Sequence, residues 1–300
     1  MRIGAIEAGG TKMVCGIGDE HGNLLDRVSI PTTDPETTFA QMIDYFRNIG
    51  DKLGDGIGID ALGIGSFGPV DLNRASATYG YITSTPKPGW ANTDFVGTFK
   101  KALDVPVGFD TDVNGAILGE VTYGAAQGAS SAIYITIGTG VGVGVYYEGQ
   151  LMHGLVHPEA GHILLMKHPK DTYEGKCPYH KTCMEGLAAG PAIQERWGKP
   201  AIQLVDQPEV WEIEAYYIAQ AITTYVLCYS PEKIILWGGV MHQEKLFEMI
   251  RDKVKELLGG YISSPALEGD LSDYIIAPGL GDDPGIKGAI KLGIDAYCLR

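Results

Sequence analysis

Two stretches of this 300-residue chain share one pattern: IGAIEAGGTKMVCGI at residues 3–17 and AIYITIGTGVGVGV at residues 132–145. In each stretch an apolar run leads into a short glycine- and threonine-containing turn, and a second apolar run follows. Short apolar runs bounded by turn residues predict β-strands. Each stretch therefore predicts a strand, a tight turn and a second strand, and a third strand is predicted near residues 24–30.

The two turns are candidate phosphate sites, because the backbone N–H groups of such a turn and a threonine hydroxyl can face a phosphate. The turn residues concerned are Gly10, Thr11, Lys12, Gly138, Thr139 and Gly140. The first turn is not a P-loop, which requires G-x4-G-K-[ST] and a following helix. Taken alone it is equally well explained as an ordinary hairpin. Two such turns about one domain apart indicate a duplicated unit, with a phosphate held between the halves.

Composition limits the possible functions. The net charge is −14, from 37 acidic and 23 basic residues, which argues against a broad nucleic-acid-binding face. Hydrophobic residues make up 45% of the chain, as in soluble globular proteins. The sequence contains neither an apolar run long enough to cross a bilayer nor a signal-peptide pattern. We therefore expect a cytoplasmic protein without nucleic-acid or membrane partners.

A C-x2-H-x2-C cluster is formed by Cys177, His180 and Cys183. Three thiolate or imidazole donors at this spacing, with a fourth from a more distant segment, are typical of a closed tetrahedral zinc site. A redox pair is less favoured because the cysteines are spaced C-x5-C, and a surface loop with unrelated cysteines is the plainest alternative. His162 is one candidate for the fourth ligand. Other histidines close enough to serve are His153, His157 and His168.

Cysteine usage also bears on the compartment. The chain has five cysteines, an odd number, and two of them lie in the predicted metal cluster. This usage suits a reducing cytosol. The other three, Cys15, Cys228 and Cys298, have apolar neighbours, which predicts buried core thiols.

Polar residues follow a strand predicted at residues 106–109, namely Asp110, Asp112 and Asn114, and a helix is predicted from there to residue 120. Carboxylates at the end of a strand are well placed for chemistry in an α/β fold. Capping the next helix is the alternative role, and one aspartate can perform each.

Other elements are predicted along the rest of the chain. Short buried strands are predicted at residues 61–65 and 233–237, the latter followed by Gly238 and Gly239, which permit a flat ligand to approach the backbone or simply start a helix. Helices are predicted at residues 186–197, 209–229, 246–258 and 285–299. Since there is no Ser/Gly-rich linker, we expect a compact domain boundary near Asp112.

Several motifs, considered in order, carry a resemblance to a known family. They are EAGGTK at 7–12, GSFGPVD at 65–71, STPKPGW at 84–90, DVN at 112–114, IGTG at 137–140, HPEAGH at 157–162, CPYH at 177–180 and GG at 238–239. With these motifs in this order, essentially the whole chain resembles the ROK family of sugar kinases, in particular its bacterial fructokinase branch.

The resemblance implies an α/β fold of the actin-like, hexokinase type, with two lobes that each carry an RNase-H-like mixed sheet. The expected N-terminal lobe comprises residues 1–112 and 286–300, because the last helix returns to it. The expected C-terminal lobe comprises residues 113–285. ATP and sugar are expected to meet in the cleft, and the family implies a homodimer.

The implied activity is ATP-dependent phosphorylation of fructose at its 6-hydroxyl, with Asp112 as general base and Mg²⁺ and Zn²⁺ as cofactors. The implied sugar-binding residues are Gly68, Asn114, Glu159, His162 and Glu185. Thr11 and Thr139 would meet the phosphates, and Pro191, Gly238 and Gly239 the adenosine. The implied zinc ligands are His162, Cys177, His180 and Cys183. Alternatives are a ROK kinase for glucose, mannose or N-acetylmannosamine, and a sugar sensor without kinase activity.

The chain departs from the family pattern at three places. Glu7 stands where many members have Asp, which leaves its part in holding Mg²⁺ open. The usual C-x-C-x4-C cluster is replaced by C-x2-H-x2-C. Thr111 precedes Asp112 where an Asn is common, so one hydrogen bond to sugar is expected to change. Repressor members carry a helix-turn-helix ahead of the first strand, and this sequence opens on that strand, so we expect a kinase.

Overall fold

The computed structural model describes residues 1–299. Its elements in the first part of the chain are β1 (Ile3–Ala8), β2 (Lys12–Gly18), β3 (Leu24–Pro31), α1 (Pro35–Arg47), α2 (Ile49–Leu53), β4 (Ala61–Ser66), β5 (Tyr81–Ile82), β6 (Thr93–Asp94), α3 (Phe95–Leu103), β7 (Val107–Thr111) and α4 (Asp112–Tyr123). Those that follow are β8 (Ala132–Ile137), β9 (Val141–Tyr147), β10 (Gln150–Leu151), α5 (Met184–Ala188), α6 (Gly190–Trp197), α7 (Pro208–Tyr229), β11 (Lys233–Trp237), α8 (Lys245–Leu258), β12 (Ile275–Ile276) and α9 (Pro284–Cys298).

The described chain divides into two compact units. Unit 1 comprises Met1–Gly128, Leu151–His157 and the segment from Gly279 onward, and unit 2 comprises Ala129–Gln150 and Pro158–Pro278. The expected boundary at Asp112 differs from this division because α4 packs against α9 and β4, and therefore belongs to unit 1. The two helices cross closely: a Cβ on Gly288 would lie 1.6 Å from the carbonyl oxygen of Gly115.

The sheet of unit 1 has the strand order β3-β2-β1-β4-β7. The pairs β1–β2 and β2–β3 are antiparallel, whereas β1–β4 and β4–β7 are parallel. The parallel register places Glu7 opposite Gly65 and Ser66 opposite Thr111. Because the carboxyl ends of parallel strands share one edge of a sheet, Glu7 and the start of α4 lie at the same edge.

The sheet of unit 2 has the order β10-β9-β8-β11-β12, with β8–β9 antiparallel and β8–β11 and β11–β12 parallel. In both units, therefore, a run of three sequential strands is extended by parallel strands on one side. The predicted duplication is confirmed, as is the strand–turn–strand prediction for both glycine turns.

Helix α1 illustrates how local sequence specifies these elements. The side chain of Asp34 accepts a hydrogen bond from the N–H of Thr37 and caps the helix, and Pro35 occupies its first position. The helix buries Phe39, Met42 and Phe46 in the core of unit 1. These three residues recur at the spacing that places side chains on one face of a helix.

The prediction of one helix at residues 186–197 is wrong in one respect, because the segment forms two helices, α5 and α6. The break is at Ala189, whose backbone is extended. Pro191 lacks the N–H that a continuous helix would direct to the carbonyl of Leu187. That carbonyl instead accepts a hydrogen bond from Arg196 Nη2 at 2.7 Å.

The cysteine prediction is correct for Cys15, which is buried, and wrong for Cys228 and Cys298, which are exposed. Cys228 lies beside the exposed Leu227 on the outward face of α7, and Cys298 is the last residue of α9. Apolar neighbours in sequence do not ensure burial near the end of a helix. Among residues 1–299, no helix combines the length and apolar character that a bilayer span requires.

Candidate functional site

The two aspartates at the end of β7 have different environments. Asp110 Oδ1 accepts hydrogen bonds from Asn114 Nδ2 at 2.7 Å and from the N–H of Thr111 at 2.8 Å. Asp110 Oδ2 lies 2.8 Å from His153 Nε2. By contrast, Asp112 Oδ1 accepts a hydrogen bond from the N–H of the next residue at 2.9 Å. Asp110 is therefore committed to internal partners, and Asp112 is the better candidate for chemistry.

Neither aspartate caps the helix, because the side chain of Thr111 caps α4 by accepting a hydrogen bond from the N–H of Asn114 at 3.1 Å. Thr111, which stands where an Asn is common in the family that the sequence resembles, therefore caps the helix. Asn114 is buried, and its side-chain N–H donates to Asp110. This agrees with a supporting role for Asn114.

Two carboxyl groups at this edge have raised pKa values. Burial raises the pKa of Asp112 to about 6. Burial, with the charge of Asp112 as a smaller contribution, raises the pKa of Glu7 to about 7. A Cβ on Gly285 would lie 2.5 Å from Glu7 Cδ, so the Glu7 carboxyl packs against the first turn of α9. Asp112 is thus ionised at neutral pH and still basic enough to accept a proton.

Gly68 lies in the loop that follows β4, and this loop is held by His157. The N–H of Val70 donates to His157 Nε2 at 3.1 Å, and a Cβ on Gly68 would be 3.5 Å from the His157 ring. Gly68 and His157 therefore lie side by side in unit 1.

The first glycine turn, also in unit 1, is closed by the N–H of Gly9, which donates to the carbonyl of Lys12 at 3.0 Å. Thr32 holds the turn from outside, since its hydroxyl donates to the carbonyl of Gly9 at 2.8 Å. Gly10, Thr11 and Lys12 are exposed. The predicted phosphate-binding residues of this turn are therefore accessible to a ligand.

The other predicted sugar-binding residues lie in unit 2. Glu159 precedes a 3-10 helix, Ala160–His162, and the N–H of His162 donates to the carbonyl of Glu159 at 3.0 Å. Glu185 lies on α5, and its Oε1 is 3.9 Å from His162 Nε2. Tyr225 anchors the helix by donating to the carbonyl of Ala160 at 2.6 Å. The structure thus brings Glu159, His162 and Glu185 together.

The second glycine turn contacts the same region. The N–H of Gly190 donates to the carbonyl of Gly138 at 2.8 Å, and the N–H of Gly138 donates to the carbonyl of Gly140 at 2.9 Å. Glu185 Oε2 accepts a hydrogen bond from the N–H of Val141 at 3.1 Å. Thr139 at the tip is exposed. Glu185 therefore links the turn to the predicted sugar-binding residues.

The predicted adenosine residues are neighbours of this turn. Pro191 follows Gly190 at the start of α6. Gly238 has φ of 101°, a conformation that L side chains rarely adopt, and a Cβ there would lie 2.4 Å from the carbonyl oxygen of Ile137. Gly239 begins a 3-10 helix, Gly239–His242. The Gly238–Gly239 pair thus starts a helix and also permits the close packing of β11 against β8.

The predicted zinc ligands converge. One donor atom from each of His162, Cys177, His180 and Cys183 can be chosen so that all four lie within 4.8 Å of one another. His162 Nδ1 is 3.8 Å from Cys177 Sγ and 3.5 Å from Cys183 Sγ. His180 Nδ1 is 3.7 Å from Cys177 Sγ. A tetrahedral zinc site has nitrogen and sulfur ligands about 3.5–3.6 Å apart, so the donor set fits zinc.

The alternative histidines are engaged elsewhere, since His153 contacts Asp110 and His157 accepts from Val70. His168 Nδ1 accepts a hydrogen bond from the N–H of Lys170 at 3.2 Å. Burial raises the pKa of the Cys183 thiol to about 12, with the neighbouring Cys177 adding to the effect. A cation would therefore be needed to hold Cys183 as a thiolate at neutral pH.

Two further contacts could not be predicted from sequence motifs. One is the His153–Asp110 pair, whose members are 43 residues apart. The other anchors the loop that carries the cysteines: Arg196 Nε lies 3.1 Å from Asp171 Oδ2, and both side chains are at most 5% exposed. No local pattern marks these residues, because each pair forms only through the tertiary fold.

Comparison with known proteins bears on the family and the fold of the chain. The sequence profile of the ROK family matches residues 3–296. A relative from Bacillus subtilis (strain 168) is 50% identical over 294 residues, covering 98% of this chain and 96% of that protein. The fructokinase of Pediococcus pentosaceus is 47% identical and covers 97% of each chain. The crystal structure of a ROK hexokinase from Thermus thermophilus aligns over 100% of both chains with a TM-score of 0.81 and 25% identity. The expected actin-like fold is thereby confirmed, and the chain belongs to the ROK family.

Proposed function

We propose that this protein transfers the γ-phosphoryl group of ATP to the 6-hydroxyl of fructose. The observation that carries the proposal is the position of Asp112 at the carboxyl edge of the unit 1 sheet, with a raised pKa, while Asp110 beside it is held by His153 and Asn114. The choice of fructose is supported by the 47% identity to the fructokinase of Pediococcus pentosaceus.

In the proposed reaction Asp112 accepts the proton of the primary hydroxyl as that oxygen attacks the γ-phosphorus in line with the departing ADP oxygen. Phosphoryl transfer depends mainly on positioning and on charge stabilisation. We assign this stabilisation to the backbone N–H groups of the two glycine turns, to the hydroxyls of Thr11 and Thr139, and to Lys12. Mg²⁺ bound with ATP would neutralise phosphate charge, and Glu7 is the carboxyl that we assign to hold it.

Recognition of the sugar is assigned to carboxylates that can each accept hydrogen bonds from hydroxyl groups. Glu159 and Glu185 are the acceptors, and His162, whose Nε2 lies near Glu185, is the third polar contact. Gly68 completes the set of sugar-binding residues, and Asn114 supports that site through its hydrogen bond to Asp110. Pro191, Gly238 and Gly239 are assigned to the adenosine.

Zinc is proposed as a structural ion, held by His162, Cys177, His180 and Cys183. Coordination through Nδ1 of His162 leaves its Nε2 directed towards Glu185. The ion would therefore hold the ring in one orientation, as carboxylate–histidine–metal arrangements do. We further propose a homodimer that works in the reducing cytosol, in keeping with five free thiols.

A coupled assay that follows ADP release with Mg-ATP and fructose tests the proposal. Glucose, mannose and N-acetylmannosamine are the comparison sugars, and kcat/KM should be highest for fructose. The product should be the 6-phosphate, which phosphoglucose isomerase and glucose 6-phosphate dehydrogenase convert with reduction of NADP⁺, whereas the 1-phosphate is not converted. A protein that binds fructose but releases no ADP would be a sensor, and a higher kcat/KM for another hexose would reassign the substrate.

A further inference from the structure

A chain of contacts in unit 1 joins an exposed histidine to the turn that bears Asp112. His153 Nε2 lies 2.8 Å from Asp110 Oδ2. The other oxygen of Asp110 accepts hydrogen bonds from Asn114 Nδ2 and from the N–H of Thr111. Thr111 and Asn114 are joined in turn by the helix cap of α4. Asp112 lies between these two residues, so its backbone is fixed on both sides through Asp110.

The burial of these groups explains why the histidine matters. The Asp110 side chain is only 4% exposed, whereas His153 is 42% exposed. A buried carboxylate is costly unless it is paired and hydrogen-bonded. His153 can supply the compensating positive charge, and because it is partly exposed it can exchange its proton with solvent.

Other groups near the pair do not replace this charge. Both side chains line a cavity of about 240 Å³, which Arg74, Tyr79 and Asp295 also line. The guanidinium of Arg74 lies over the Tyr79 ring, 6.0 Å from its centroid. Asp295 is ion-paired with Lys291. Among these groups, His153 is thus the one that contacts the Asp110 carboxylate at hydrogen-bond distance and can carry a positive charge.

We propose that His153 is a positioning residue that, through Asp110, Thr111 and Asn114, holds the first turn of α4 and thereby the direction of the Asp112 carboxylate. This inference rests on the proposed function, in which Asp112 is the base. His153 touches neither of the proposed reacting atoms. Its loss should therefore lower kcat more than it raises either KM, because a small displacement of a catalytic group can cost on the order of 10²-fold in rate.

The pair also predicts an effect of pH. The hydrogen bond to Asp110 raises the pKa of His153 above its ordinary value. A raised histidine pKa means that the charged pair is complete at pH values below the pKa of an unperturbed imidazole, and is lost as pH rises through the pKa in the folded protein. We therefore expect kcat to decline on the alkaline side as His153 loses its proton.

Two substitutions at this position separate the positioning role from folding. His153→Leu removes the contact, and His153→Gln keeps a neutral N–H donor near the same place. The exposed His21→Leu is the matched control. We expect His153→Leu to lower kcat about 10–100-fold with KM for both substrates within about threefold. His153→Gln keeps a hydrogen bond without the positive charge, so its kcat should lie between those of His153→Leu and wild type and should lack the alkaline decline. A kcat for His153→Leu within twofold of wild type across the pH range would overturn the proposal.

Two measurements remain decisive if the wild-type protein releases no ADP with any sugar, the result by which the proposed function itself fails. Histidine NMR should give a lower His153 pKa in Asp110→Asn than in wild type, and equal values would mean that the two side chains are not paired. A crystal structure of His153→Leu should show the Asp112 carboxylate displaced. An unchanged Asp112 in that structure would refute the positioning role whatever the substrate.

Discussion

The two units share one sheet order yet differ in what stands at the carboxyl edge of each sheet. In unit 1 the edge bears carboxyl groups, and α4 begins directly at Asp112. In unit 2 the glycine turn is held by Glu185, which lies on α5 directly after the cysteine loop. The duplicated sheets therefore specify the framework, and segments that follow non-equivalent strands, α4 after β7 in unit 1 and the cysteine loop with α5 after β10 in unit 2, carry the proposed chemistry. Unit 1 carries the proposed base, and unit 2 carries most of the proposed binding groups.

Asp112→Asn should give the largest effect, because it removes the proposed base from unit 1 and leaves unit 2 unchanged. A general base contributes typically about 10²–10⁴ in rate, so kcat should fall by that factor while fructose still binds. Because the raised pKa of Asp112 is about 6, wild-type kcat should fall as pH drops through that value, where the carboxylate becomes protonated. Steady-state kinetics between pH 5 and 8 measure both effects.

The control for this substitution is Asp104→Asn. Asp104 is exposed and has a left-handed backbone conformation, which asparagine also adopts. It should match wild type in kcat. Near-wild-type kcat in Asp112→Asn would reject Asp112 as the base. It would also reject the proposal that unit 1 carries the base while unit 2 carries most of the binding groups.

Cys183→Ser should give the next largest effect, this time on binding in unit 2. Loss of a ligand should release the metal and, with it, the orientation of His162 towards Glu185. KM for fructose should rise about tenfold or more, with a smaller change in KM for ATP. Metal analysis of protein purified without added zinc should give about one zinc per wild-type chain and much less in the variant.

Cys228→Ser, at an exposed thiol on α7, is the matched control and should keep both the metal and the activity. Metal-free wild-type protein with full activity would contradict the zinc assignment together with its role in holding the sugar-binding residues.

The glycine turns allow a direct comparison between the units. A Cβ on Gly140 would lie 2.7 Å from Glu185 Oε2, whereas a Cβ on Gly10 would meet no protein atom within 4 Å. Gly140→Ala should displace Glu185, break its hydrogen bond to Val141, and raise KM for both ATP and fructose about tenfold, as expected for losing a hydrogen bond to a charged group. Gly10→Ala should raise KM for ATP alone. Equal effects of the two substitutions on KM for fructose would show that the second turn is not coupled to the sugar-binding residues.

The smallest effect on activity is expected from substituting two fully buried glutamates, one in each unit. Glu120 accepts hydrogen bonds from the N–H groups of Ala125, Gly279 and Leu280. Within residues 1–299, neither carboxylate oxygen of Glu214 has a hydrogen-bond partner. Glu120→Gln should therefore lower the free energy of unfolding by about 1–3 kcal/mol, and Glu214→Gln should leave it unchanged or raise it.

The pH dependence separates the two glutamates further. Burial raises the pKa of Glu214 well above its ordinary value. A raised carboxyl pKa means that stability is lost as pH rises above the pKa of the unfolded chain, about 4.3, because only the unfolded state ionises freely. Urea unfolding at pH 4 and pH 8 should show a gain for Glu214→Gln at pH 8 relative to pH 4. A loss at pH 8 as large as that of Glu120→Gln would mean that Glu214 has a stabilising partner.

The sequence was sufficient wherever a property is local. Apolar runs and turn residues predict β1, β2, β8 and β9, because strand formation depends on short-range pattern and turn chemistry. The x2 spacing predicted the Cys/His cluster, and the order of motifs predicted the family. The carboxylates after β7 were likewise recognised as candidates from their place at a strand end.

Only the tertiary structure distinguishes residues that look equivalent in the sequence. His153 reaches Asp110 across 43 residues and so leaves Asp112 as the available carboxylate. His157 and His168 accept hydrogen bonds from the N–H groups of Val70 and Lys170, and His162 is the histidine that lies with His180 and the two cysteines in the proposed metal cluster. Glu120 and Glu214 are both helical glutamates, yet one is satisfied by backbone N–H groups and the other is not. These distinctions depend on contacts between distant segments, and no local pattern encodes a contact whose energy exists only once the chain has folded.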